Sequence, residues 1–110
     1  MIKTETLHTY LTDAIAKLQS LIAYTHSDIE DVKAANHEVV FERGALKAST
    51  IREFELAKSM IDQEMLQLTQ NNPHLKLTEI LDERANTLLA DMRKTLEELK
   101  SINTHYARMV

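Results

Sequence analysis

Cysteine and tryptophan are absent from this chain of 110 residues, and glycine and proline occur once each. Without cysteine there is neither a disulfide nor a thiolate metal site, and the redox compartment cannot be read. One glycine and one proline cannot punctuate the many short strands of a sandwich or barrel. They also cannot build a glycine-rich loop that cradles a phosphate. No apolar run approaches the roughly 18 residues of a membrane span, and the opening Met1-Ile2-Lys3-Thr4-Glu5-Thr6 lacks the apolar core of a signal peptide. A positive excess is missing too. The net charge is −4, which disfavours nonspecific attraction to nucleic acid or anionic lipid. The expectation is a soluble, cytoplasmic, nearly all-helical protein. It forms one domain over residues 1–110, too short for a catalytic and a binding domain together.

What is present is helical periodicity. Leu11, Ile15, Leu18, Ile22, Thr25, Ile29, Val32 and Asn36 recur in steps of four and three, the spacing of a coiled-coil seam. Thr4 is placed to cap this helix, and Asp13 and Lys17 form an i,i+4 pair. Ser27 and Glu30 match a capping box, but the seam runs through Ile29 and Val32 without a change of phase, so continuation is preferred over a break. The pattern weakens at Ala34-Ala35-Asn36-His37. Asn tolerates the left-handed conformation, so a tight turn is favoured over one bent helix. A second stripe runs from Val39 and Val40 through Leu46, Ile51, Phe54, Ala57, Ile61 and Met65 to Leu68. Gly44 lies inside it, at a cost of about 1 kcal/mol relative to Ala, through either a close helix crossing or mere tolerance. Gln70-Asn71-Asn72-Pro73-His74 marks the clearest boundary. Thr78 then reads as the cap of a last helix whose seam is Leu81, Ala85, Leu88, Met92, Thr95, Leu99, Ile102, Tyr106 and Met109. The expected fold class is all-α, an elongated antiparallel bundle or coiled coil of three long helices. These cover roughly 4–34, 37–69 and 78–108, with a loop around 70–77, and each is about 45 Å long.

Chemistry is harder to place. A metal site in a helical bundle wants Glu-x-x-His on two helices. Glu5 and His8 supply that spacing once, while His26, His37, His74 and His105 sit near ends or turns without His-x-x-x-His partners. A phosphorelay histidine with Lys and Gly close behind it on the same helix is also missing. Acids such as Glu53, Glu55, Asp62 and Glu64 have the density of an ordinary solvated face. No catalytic residue, metal ligand or cofactor is expected.

One feature stands out in the last helix. Beside its seam, Leu89, Leu96, Asn103 and Val110 form a second row at intervals of seven. Two rows make a wide face, either core against two neighbours or a surface that receives a partner helix past Leu96.

The chain resembles the flagellar export chaperone family known as FlgN. The likeness is one of overall pattern: a long first helix with the seam Leu11 to Val32, then a turn. The second helix carries Gly44-Ala45-Leu46-Lys47 and spaced aliphatics from Ile51 to Ile61. The Leu-rich last helix ends in Leu96-Glu97-Glu98-Leu99-Lys100-Ser101-Ile102-Asn103-Thr104-His105-Tyr106. Where the family often has two closely spaced Asn residues, this chain has Asn103 and then Tyr106. The resemblance implies a cytoplasmic chaperone that binds the C-terminal helices of hook–filament junction proteins. It would prevent their premature assembly and hand them to the flagellar export machinery. By the same resemblance the client site comprises Leu96, Leu99, Ile102, Asn103, Tyr106 and Val110. The competing reading is a structural coiled coil that self-associates, as a homodimer, with no separate client.

Overall fold

A computed structural model describes residues 2–110. Helix α1 spans Glu5–Lys33, α2 spans His37–Asn71, a single turn α3 spans Leu77–Ile80, and α4 spans Glu83–Met109. The Cα trace measures 58 × 20 × 17 Å. Consecutive long helices run antiparallel, so α1 and α4 lie side by side in the same direction. Thr4 accordingly meets Asp82 at one end and Thr25 approaches Asn103 towards the other.

Helix α1 is the central member. It packs against both α2 and α4, whereas among the described residues no Cα of α2 lies within 8 Å of one in α4. A helix with two neighbours needs two buried rows, and α1 has them. Leu11, Leu18, Thr25 and Ile29 belong to the seam expected from the sequence, and Leu7, Ala14, Leu21 and Asp28 form a second row beside it. Ala and Asp conceal that second row from a search for large aliphatics. Burying a Leu or Ile side chain contributes about 1.5–3 kcal/mol, so Leu7, Leu11, Leu18 and Ile61, all essentially inaccessible, anchor the bundle.

The turn between α1 and α2 falls where the pattern weakens, and the capping-box break at Ser27 does not occur. The Asn36 N–H donates to Asp31 O at 2.7 Å and the Ala35 N–H to Val32 O at 3.1 Å. This pair of bonds is a Schellman C-terminus, which puts the intervening residue in the left-handed region. That residue is Ala35, with φ of 60°, and not Asn36, whose φ is −88°. Register explains the difference, because the two bonds select the residue by its distance from the helix end and not by its side chain. At the far end of α2 the Asn72 side chain donates to Leu68 O at 2.9 Å, and Pro73 prevents continuation.

The last helix starts later than expected, at Glu83 rather than 78, and Thr78 lies inside α3 without capping anything. Ile80 and Leu81 are both buried. Leu81 is extended, with ψ of 126°, and Asp82 becomes the true N-cap, accepting from the Ala85 N–H at 2.9 Å. The break lets two consecutive apolar residues reach the core and brings Asp82 against α1. Thr4 likewise precedes α1 but makes no side-chain cap bond, because its hydroxyl is turned to Asp82.

Candidate functional site

Three places concentrate polar or exposed apolar groups. The first is the junction of α1 and α4. Thr4 Oγ1 donates to Asp82 Oδ2 at 2.9 Å, and His8 Nε2 lies 2.9 Å from Asp82 Oδ1. These bonds, led by that to His8 and followed by the one from the Ala85 N–H, hold the Asp82 carboxyl down to about 2 from an ordinary 3.8. The histidine whose spacing suggested a metal thus latches two helices. Among the described residues no three His, Asp or Glu side chains converge as a metal-holding group.

The second place is a buried charge cluster near the α1–α2 turn. Asp28 is 2% exposed. Its carboxylate accepts from the Arg43 guanidinium and, at 2.8 Å, from Lys47 Nζ. Arg43 also donates to Asp31 at 2.7 Å. Two acids and two bases leave the cluster neutral, which is the condition for burying such groups at tolerable cost. Asp28 and then Asp31 hold the Arg43 guanidinium above its ordinary value. Lys47 also lies 5.2 Å from the centre of the Tyr106 ring, a cation–π distance. One carboxylate on α1 therefore positions a lysine of α2 against an aromatic of α4.

The third place is a groove of about 640 Å³ between α2 and α4 at this same end. Val32 of α1, then His37, Val40, Phe41, Gly44 and Ala45 of α2, then Tyr106 and Val110 line it. Phe41 is 86% and Val110 75% exposed. A Cβ built on Gly44 would meet nothing within 4 Å, so the close crossing considered for this glycine does not exist within the chain. The glycine is a notch in the groove. A depression of similar size between α1 and α4 is bordered by His26, Glu30, Lys33, Glu98 and His105, and is much more polar.

The six residues singled out by resemblance divide between core and groove. Tyr106 and Val110 line the groove, and Ile102 is buried. Leu96 and Leu99 are half-buried, while Asn103 is exposed with its Oδ1 3.5 Å from Thr25 Oγ1. At 100° per residue, Leu96, Leu99, Asn103, Tyr106 and Val110 share one side of α4, displaced from Ile102. Sequence reasoning missed the α2 wall of Val40, Phe41, Gly44 and Ala45. The signal was there: the apolar residues of α2 are not confined to one stripe, and the chain's one glycine sits among them. The large exposed apolar side chains lie mostly on α2, at Val39, Phe41, Leu46, Ile51, Leu56 and Leu66, not on the last helix. No helix is long and apolar enough to cross a membrane.

Comparison with protein-family models, curated proteins and solved structures finds no match for the chain.

Proposed function

We propose that the protein is a cytoplasmic, noncatalytic chaperone that receives an amphipathic helix in the groove between α2 and α4. Following the resemblance of its sequence to the FlgN pattern, the client is the C-terminal helical segment of a hook–filament junction protein. The client is held back from assembly until delivery to the flagellar export machinery. The observation that supports this reading most is the groove itself. It has apolar walls on two helices that do not pack closely, a glycine notch that the fold leaves empty, and exposed Phe41 and Val110 at its rim. A partner helix laid there meets side chains able to enclose its apolar face, and Gly44 permits close backbone approach. The reading requires no nucleotide, metal or catalytic group.

The test is titration calorimetry with the C-terminal helical peptides of hook–filament junction proteins. Gly44→Leu fills the notch and Tyr106→Ser removes a wall. Each should weaken binding about tenfold or more, since a central anchor contributes more than about 1 kcal/mol. Wild-type affinity in both variants would overturn the site assignment. Absence of any binding by the wild-type chain would overturn the client.

A further inference from the structure

The outward face of α2, turned away from α1, has a pattern of its own. Phe41, Ala48, Glu55 and Asp62 form one row at seven-residue intervals. Ala45, Arg52, Ser59 and Leu66 form the adjacent row, and all eight are exposed. Together the rows make a seam with the alternating three- and four-residue spacing of a coiled coil. Leu66 is 58% exposed, and among the described residues neither Arg52 nor Glu55 makes an ion pair within the chain.

We infer that two copies of this chain pair antiparallel through this face of α2. In an antiparallel pair, one row of each helix meets the other row of its partner. With the two-fold axis between residues 53 and 54, Phe41 packs on the partner's Leu66, and Arg52 meets the partner's Glu55. Ala48 faces the partner's Ser59, a small-on-small layer that lets the helices approach. Every pair occurs twice, as a two-fold contact requires. The other registers are worse. A shift of one heptad puts Phe41 opposite either Ser59 or the helix-ending Pro73. A parallel pair would set Arg52 against Arg52 and Glu55 against Glu55. The face is therefore self-complementary in a single arrangement, and this favours a second copy over an unrelated partner.

The strip from Phe41 to Leu66 is about 38 Å long and about 10 Å wide. That is a modest area, below the roughly 1,200 Å² of total burial typical of stable complexes, so the dimer is weak and reversible. Phe41 also stands at the groove rim. The pairing is measured on the chain alone, so its outcome does not depend on any client.

Sedimentation velocity of the full chain should show monomer at about 1 μM and dimer at several hundred μM, the behaviour of a contact of this size. Arg52→Glu places like charges together twice and should weaken dimerisation about tenfold. The charge swap Arg52→Glu with Glu55→Arg should restore it. Because the chain has no native cysteine, oxidising a mixture of Phe41→Cys and Leu66→Cys chains reads the direction. The mixed disulfide should form faster than the bridge between two Phe41→Cys chains. A wild-type chain that stays monomeric throughout would overturn the inference. So would a charge swap that fails to rescue, or preferential Phe41→Cys self-linkage.

Discussion

Replacing Asp28 by Asn keeps the side chain's shape and deletes the one carboxylate that both α2 cations share. In the native bundle this carboxylate is 2% exposed and holds Arg43 and Lys47. Removing one member of a buried ion pair costs about 3–5 kcal/mol, because the remaining charge stays desolvated. Two features of the site reduce that figure. Arg43 retains Asp31 at 2.7 Å, and the Arg43 and Lys47 side chains are 17% and 20% exposed, so each can reach water after a small adjustment. A loss of about 2–3 kcal/mol is expected, a large fraction of the 5–15 kcal/mol typical of a domain. Urea unfolding followed by circular dichroism should therefore show the midpoint falling by about 1–2 M at unchanged slope. Asp31→Asn is the internal comparison. Its carboxylate is more exposed and serves Arg43 alone, so its cost should stay near 1 kcal/mol or below. The same Asp28 variant releases Lys47 from Tyr106, so the groove wall should loosen with the fold. If Asp28→Asn shifted the midpoint no more than Asp31→Asn, the cluster would not act as a shared buried anchor and the reasoning would fail.

Four further outcomes are open to the same measurements. Ala35→Gly should stabilise the chain by about 1 kcal/mol, since it relieves a Cβ held at φ of 60°; an unchanged urea midpoint would contradict the Schellman assignment. Gly44→Ala should raise stability by up to about 1 kcal/mol, because the added methyl meets only open space. Leu18→Ala, at the inaccessible centre of α1, should cost about 2–5 kcal/mol in the same melts. The Asp82 carboxyl titrates near 2 in the fold against an ordinary 3.8, so it contributes stability above about pH 4 that is lost as the pH falls towards 2. Since that side chain is 46% exposed, solvent screening keeps the contribution modest. Asp82→Asn should flatten this acid limb in a pH series of melts, and a limb identical to wild type would remove Asp82 as its source.

The lengths and ends of the helices were largely readable in the sequence because they follow from local forces. Scarcity of Gly and Pro leaves long uninterrupted runs, and a three- and four-residue apolar rhythm selects helix over strand. The weak stretch at 34–36 and Asn72-Pro73 end helices wherever they occur. The turn shows where local reasoning stops. Its position was legible, but the left-handed residue was misassigned to Asn36. The hydrogen-bonding register of the helix end fell on Ala35 despite the intrinsic preference of Asn.

Tertiary packing decided the rest. Periodicity shows that a face is apolar, not how many neighbours cover it. Thus α1 and not α4 became the central helix, and α1's second row, carrying Ala14 and Asp28, could be recognised only with α2 and α4 in place. The break at Leu81-Asp82 depends on Thr4 and His8, more than seventy residues away, which hold the capping aspartate against α1. Asp28 could be buried only because Arg43 and Lys47 arrive from another helix to neutralise it. For the same reason the groove combines Phe41 and Gly44 with Tyr106 and Val110, residues on helices whose separation no local pattern encodes. The sequence by itself determined which segments are helical, through backbone sterics and short-range apolar spacing. Which faces meet, and which remain open, was settled by long-range pairing of charges and by the geometry of three cylinders packed around one.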